Sequence, residues 1–128
     1  MKIIHSKIHG VLDYVVGLIL ITSPWIFSFA DGSAAQWVPM ILGVAALVYS
    51  LITDYELGAA KLISFKMHLM LDKSSGVLLA VSPWLFGFSD PIYAPHLVFG
   101  LLEIVVAMTT TTAPSLHSFN NTKHSHAV

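Results

Sequence analysis

Two histidine–aspartate pairs are the residues of this sequence whose types and spacing could do chemistry. His9 precedes Asp13 by four positions, and His68 precedes Asp72 by four positions. On a helix, side chains four residues apart lie on one face, so each histidine could contact its own aspartate. Imidazole and carboxylate groups together suit Zn, Mn, Fe or Ni, and histidine also titrates near neutral pH. These four residues are called the His/Asp cluster below.

Three interpretations of the His/Asp cluster stay open from the residues alone. It could hold a divalent metal ion or a haem, as a cofactor bound by the two histidines. It could exchange protons. It could also consist of paired polar side chains at the starts of helices, where aspartate favours the positive end of the helix dipole. Which interpretation applies depends on the elements that position these side chains.

The composition indicates the solvent around those elements. Of the 128 residues, 55% are hydrophobic and 10% are charged, and the mean hydropathy is +0.77. Soluble domains carry about 25% charged residues, so this chain lacks the polar groups to cover a water-exposed surface. Long uncharged stretches recur along the chain, and lengths near 20 apolar residues span a bilayer as a helix. We therefore predict four transmembrane helices, near residues 8–29, 36–53, 67–88 and 94–112.

The lysines orient these helices. All six basic residues are lysines, and they lie before the first helix, around the start of the third, and in the tail. The opposite loops carry Asp31 and Asp90 and no basic residue. The positive-inside rule then predicts that both termini are cytoplasmic. We expect a multi-pass protein of a bacterial inner (plasma) membrane. The absence of cysteine excludes disulfides and thiolate metal sites, and a net charge of −1 without arginine gives no basis for nucleic-acid binding.

The two histidine–aspartate pairs lie in two copies of one module. Residues 8–31 and 67–90 are identical at eleven of 24 positions, and each copy contains Ser-Pro-Trp, at Ser23-Pro24-Trp25 and Ser82-Pro83-Trp84. Proline cannot donate the helical hydrogen bond, the preceding serine can bond the freed carbonyl, and tryptophan anchors at the membrane interface. We therefore predict a structural role for the motif, which closes the first helix of each hairpin. The predicted fold is all-α: a transmembrane four-helix bundle of two parallel helical-hairpin repeats.

The doubled Ser-Pro-Trp-x-Phe-x-Phe motif, with its doubled His-x-x-x-Asp, resembles the SPW repeat family of small integral-membrane proteins. The resemblance covers roughly residues 5–112 and implies a membrane location, the repeat and the helix pairing, without an established activity. The expected organisation is a cytoplasmic N-terminus, a first hairpin, a cytoplasmic connector that could form an amphipathic helix, a second hairpin and a flexible cytoplasmic tail. The corresponding ranges are 1–7, 8–53, 54–66, 67–112 and 113–128.

The identical residues lie on one face of the first helix in each module. A face that both halves share is most simply the face toward the pseudo-two-fold axis. The His/Asp cluster should then converge near the cytoplasmic end of the bundle. Gly17 and Gly76 would let helices one and three cross closely at the centre, with helices two and four on the flanks. Gly43 and Gly100 align in those flanking helices and complete the set of predicted helix-packing glycines.

Glu103 is a second candidate for function, because it lies in an apolar stretch at the predicted mid-depth of helix four. A carboxylate at that depth is costly unless it is protonated or paired, so it should face the bundle or a subunit contact. One possibility is a hydrogen bond to a serine of a neighbouring helix, at position 23, 75 or 82. The other is an intramembrane proton or ion site formed with His96, which lies seven residues earlier on the same face.

The favoured function is a non-enzymatic membrane scaffold or accessory module. Its expected partners are the lipid bilayer, and a second copy of the chain or another membrane protein. The alternatives are a metal- or haem-binding membrane protein that uses the His/Asp cluster, and an oligomeric conductor of ions, protons or small solutes that uses Glu103. Enzyme chemistry is the least supported, because no nucleophile with a matched base is present in the sequence.

Overall fold

Four helices make up the fold. The computed structural model describes residues 2–112, and over this range the chain forms α1 (Ser6–Ile26), α2 (Ala34–Leu51), α3 (Phe65–Leu85) and α4 (Ala94–Thr109). Two isolated β-bridges are the only extended pairings in the described range. The prediction of an all-α four-helix fold is confirmed. The expected flexible tail, 113–128, lies outside the described residues.

The Ser-Pro-Trp motifs end α1 and α3 in the same way. Pro24 has no N–H for the carbonyl of Leu20, and the Ser23 hydroxyl donates to that carbonyl at 2.8 Å. In α3 the Ser82 hydroxyl donates to the carbonyl of Leu79 at 2.7 Å. The serine thus satisfies the carbonyl that the proline leaves without a donor. Each helix then ends within two to three residues, which sets the same length of 21 residues for both.

Close packing in the bundle occurs within each hairpin. A Cβ atom added at Gly43 would lie 2.7 Å from the carbonyl oxygen of Gly17, and one at Gly76 would lie 2.8 Å from that of Gly100. These glycines therefore let α1 approach α2 and α3 approach α4. The prediction that Gly17 and Gly76 bring the first and third helices together is wrong. Imidazole and carboxylate side chains occupy the space between α1 and α3 and hold their backbones apart.

Apolar side chains cover the outside of the bundle. Large hydrophobic residues are exposed on all four helices, for example Leu18 (57%), Ile41 (62%), Met70 (57%) and Val98 (60%). Two of the helices, α1 and α2, are long and apolar enough to cross a membrane. The other two fall short of that criterion, since α4 has 16 residues and α3 contains several charged and polar ones. The interior holds buried histidine, serine and threonine together with apolar residues such as Leu20 and Leu79.

The connector does not form the amphipathic helix that its sequence would allow. Residues 52–64 make turns instead, and the backbone of Ile63 pairs with that of Thr53 in a parallel bridge. The N-terminal segment repeats this arrangement, since Ile4 pairs with Thr110. In both halves, the segment before the first helix of one hairpin pairs with the chain just beyond the last helix of the other hairpin. A continuous helix would break these backbone bonds, which explains why the amphipathic pattern does not prevail.

Candidate functional site

The structure brings the His/Asp cluster together between α1 and α3. His9 Nε2 lies 2.7 Å from Asp72 Oδ2, and His68 Nε2 lies 2.5 Å from Asp13 Oδ2. The distances within each helix are longer, at 3.1 Å for His9 to Asp13 and 3.2 Å for His68 to Asp72. Each histidine is therefore closer to the aspartate of the other hairpin. The cluster joins the two hairpins, and the pairs within one helix are secondary.

The cluster is enclosed at its end of the bundle. His9 is 1% exposed and His68 is fully buried. The Phe65 ring lies 5.8 Å from the His9 ring and 5.6 Å from the His68 ring, measured between centroids. The connector adds Tyr55, which stacks on Phe65 at 5.6 Å. Glu56 of the connector accepts a hydrogen bond of 2.7 Å from the Ser6 hydroxyl, which ties the connector to the start of α1.

Two buried threonines set the protonation of the histidine rings. The Thr53 hydroxyl donates to the backbone carbonyl four residues earlier at 2.5 Å, and the Thr110 hydroxyl does the same at 2.6 Å. A hydroxyl has one proton to donate, so each threonine oxygen must accept from the histidine beside it. His68 Nδ1 donates to Thr53 at 2.8 Å, and His9 Nδ1 donates to Thr110 at 2.7 Å. Both Nε2 atoms therefore face the aspartates.

This arrangement requires positive charge, carried by protons or by a cation, between the histidine Nε2 atoms and the aspartate oxygens. A neutral ring with its proton on Nδ1 directs the Nε2 lone pair at a carboxylate oxygen, and two lone pairs at hydrogen-bond distance repel each other. Two added protons would give two imidazolium ions facing two carboxylates. One divalent cation would replace both protons and leave both rings neutral. Each occupancy gives the four side chains and their contents a net charge of zero, which a buried site of low dielectric favours.

The cluster has the dimensions of a four-ligand metal site. The four candidate ligand atoms lie within 4.8 Å of one another. Tetrahedral ligands with bonds of about 2.0–2.1 Å would be separated by roughly 3.3 Å. The four nitrogen–oxygen distances in the structure run from 2.5 to 3.2 Å, so a metal ion would require each to lengthen by less than an ångström. A haem does not fit between the histidines, because the aspartate oxygens fill the space where the porphyrin plane would lie.

A cavity of about 100 Å³ adjoins the cluster on one side. Residues of α1, α2 and α4 form its walls, and α3 contributes one residue. Its polar residues are Asp13, Tyr49, Asp72 and Glu103. The Tyr49 hydroxyl donates to Asp72 Oδ1 at 2.5 Å. Glu103 Oε2 accepts from the Ser75 hydroxyl at 3.1 Å, which is one of the serine contacts expected for it. Glu103 therefore lies at the cluster's cavity and faces the bundle interior.

His96 lies at the other end of the bundle. It is 1% exposed, and its Nε2 donates to the carbonyl of Ala35 at 2.8 Å. The ring lies between Phe29 and Phe88, with centroid distances of 5.0 and 4.8 Å. The structure does not bring His96 to the cavity that Glu103 lines. The two residues share a helix face but no polar path between them is formed by the described residues.

Thr53, Thr110 and Tyr49 are the site residues that the sequence analysis does not identify. A signal for the threonines is present, since each follows a packing glycine, Gly43 or Gly100, by ten residues. They occupy equivalent positions just beyond the two second helices once the shorter second loop is allowed for. Tyr49 has no such signal, because its equivalent in the second module is a valine.

Comparison with known proteins gives a match to one family. No curated protein and no solved structure matches the chain. The sequence model of the SPW repeat domain matches residues 7–110, a range that contains both Ser-Pro-Trp motifs, the whole His/Asp cluster and both buried threonines. The match covers most of the chain and agrees with the resemblance seen in its motifs. The chain therefore belongs to the SPW repeat domain family.

Proposed function

We propose that this chain is a membrane protein that binds one divalent transition-metal ion at the His/Asp cluster. The threonine–histidine hydrogen bonds are the observation that carries this proposal, because they hold both Nε2 atoms toward two carboxylates. Histidines that ligate metals usually donate their other N–H to a fixed acceptor, which sets the ring orientation. Two histidines and two carboxylates suit Zn, Mn, Fe or Ni, and they neutralise a charge of +2. The ion would link the two hairpins.

The metal-free alternative is a scaffold or accessory module, in which the cluster holds two protons and serves only as a joint. The hydrogen bonds between His9 and Asp72 and between His68 and Asp13 favour this second candidate. In that case the cluster contributes to stability and binds no ligand. Neither function requires enzyme chemistry.

Metal content decides between the two candidates. The chain would be purified in detergent without an affinity tag rich in histidine, dialysed against Zn²⁺ or Mn²⁺, and analysed by mass spectrometry of its metals. One ion per chain is expected in the wild type. The double variant His9→Ala, His68→Ala should lose it, and His5→Ala, a nearby exposed histidine outside the cluster, should retain it. Equal metal retention by the double variant, or a wild type without stoichiometric metal, refutes metal binding.

The membrane arrangement that we propose has four spans and both termini in the cytoplasm. The exposed apolar residues on all four helices support four spans, and the clustering of lysine near the starts of α1 and α3 supports the orientation. The chain has no cysteine, so single cysteines can report the sides of the membrane. A membrane-impermeant maleimide should label Asp90→Cys in intact bacterial cells and Ala59→Cys only after the cells are permeabilised. The reverse pattern would contradict the orientation.

A further inference from the structure

The two halves of the bundle differ at three positions around the cavity. Val16, Ala46 and Val106 lie on its walls, and their equivalents in the other module are Ser75, Glu103 and Tyr49. On the α3 side of the cluster, the hydroxyl of Tyr49 bonds Asp72, and the hydroxyl of Ser75 bonds Glu103. On the α1 side, Ala46 and Val106 are smaller than their equivalents Glu103 and Tyr49, and space is left open. The pseudo-symmetry is thus broken at the place where a ligand could reach the cluster.

The cavity opens onto the carboxylate side of the cluster. Asp13 and Asp72 line it, and neither histidine does. A volume of about 100 Å³ has room for at least one water molecule. Most of the wall is apolar, and Glu103 has one oxygen bonded to Ser75 and a second oxygen with which to accept a further hydrogen bond. A ligand in this space would meet oxygen acceptors at both ends.

We propose that the cavity admits a small neutral hydrogen-bond donor, water or a molecule of similar size, to an open coordination position of the metal, and that Glu103 positions it. This inference rests on the proposed metal binding and adds a reactive position to it. The four cluster side chains would fill a tetrahedral site, but an ion that prefers six ligands, such as Mn²⁺, would keep positions for exogenous ligands on the side where the cavity opens. The oxygen acceptors select a hydrogen-bond donor, and the apolar walls disfavour an anion, because the cluster and its ion together already have no net charge.

Pulsed electron paramagnetic resonance of the Mn²⁺-loaded protein in ¹⁷O-labelled water tests this inference. The wild type should show ¹⁷O hyperfine coupling from a directly bound water. Val16→Phe, which places a larger side chain in the cavity, should remove that coupling while Mn²⁺ affinity changes by less than about tenfold. Val15→Phe is the matched control, because Val15 is 48% exposed on the outer face of the same turn, and it should keep the coupling. If Val16→Phe does not fold, Ala46→Leu fills the cavity from α2 instead.

A second arm tests the chemical class and the role of Glu103. Azide at millimolar concentration should leave the Mn²⁺ spectrum of the wild type unchanged, because it is an anion. Glu103→Gln should keep the metal and shift the ¹⁷O coupling, which a residue with a purely structural role would not do. Bound Mn²⁺ without ¹⁷O coupling, or with coupling that survives both cavity-filling variants, overturns this inference and leaves metal binding intact. A wild type that binds no metal overturns both.

Discussion

Replacement of Thr53 by valine is the sharpest test of how the cluster is held. Valine has nearly the shape of threonine without the hydroxyl, so Thr53→Val removes the acceptor for His68 Nδ1 together with the donor to the Tyr49 carbonyl. The ring is fully buried, and so is the threonine. The freed N–H would have no water to bond. Thr53→Ser keeps the hydroxyl and serves as the matched control.

The expected size of the effect follows from the burial of this N–H group. A buried donor without a partner costs about 1–3 kcal/mol, so the free energy of unfolding of Thr53→Val should fall by that amount. Metal affinity should fall as well, because the ring can turn and its Nε2 is no longer held in place. Loss of such an outer partner lowers metal affinity by about 10–100-fold. Thr110→Val should have the same effect through His9, since its hydrogen bond is equivalent.

Competition with a chromophoric chelator measures the affinity, and thermal unfolding in detergent measures the stability. Thr53→Ser should lie within about threefold of the wild type in metal affinity. If Thr53→Val and Thr53→Ser behave alike, the hydroxyl does not orient His68 and our assignment of the ring protons is wrong. If Thr53→Val loses stability but not affinity in a protein that binds metal, the bond supports the fold and not the site.

Three further predictions concern the turns and the helix packing. Ser28 adopts φ 60° and its equivalent, Gly87, adopts φ 75°, a left-handed backbone conformation that favours glycine. Ser28→Gly should therefore raise the free energy of unfolding by about 1 kcal/mol, and Gly87→Ser should lower it by a similar amount, as thermal unfolding would show. Gly100→Ala should lower the free energy of unfolding by about 1–3 kcal/mol, because the added Cβ would lie 2.6 Å from a carbonyl oxygen of α3 and force the helices apart. An unchanged melting temperature would contradict this packing. Hydrogen bonds from the hydroxyl and the backbone N–H of Ser33 hold the pKa of Asp31 below its ordinary value. The stability from this contact is therefore present above the ordinary pKa of about 3.9 and lost as the pH falls through the lower folded value, and Asp31→Asn should remove that acid dependence in melts recorded below about pH 5.

The sequence predicts that the four residues of the His/Asp cluster lie close together, because an internal repeat indicates which helix faces lie toward the symmetry axis. Two helices that share a face around a pseudo-two-fold axis must bring that face to the centre, and His9 and His68 lie on it together with their aspartates. The ends of α1 and α3 are also predictable, because a proline in the last turn forces a local rearrangement that a serine can satisfy. These features depend on local chemistry and on symmetry alone.

The helix partners and the threonines are not predictable in the same way. Small residues show that a helix approaches another closely, but they do not show which one, and Gly17 meets Gly43 and not Gly76. The space between α1 and α3 depends on the size of the polar side chains that fill it. Thr53 and Thr110 lie beyond the ends of α2 and α4, where the backbone bridges, and not helical periodicity, determine the direction of a side chain.

The crossed hydrogen bonds of the cluster have a consequence for biosynthesis. The first hairpin carries Asp13 and Thr53, whose closest histidine partner is His68 of the second hairpin. The second carries Asp72 and Thr110, whose closest partner is His9 of the first. In the proposed membrane arrangement, a nascent first hairpin thus enters the bilayer with half of a polar centre and cannot complete it until the rest of the chain is translated. Separately expressed halves, cut within the connector, should for the same reason be recovered as a complex and be degraded when either is made alone.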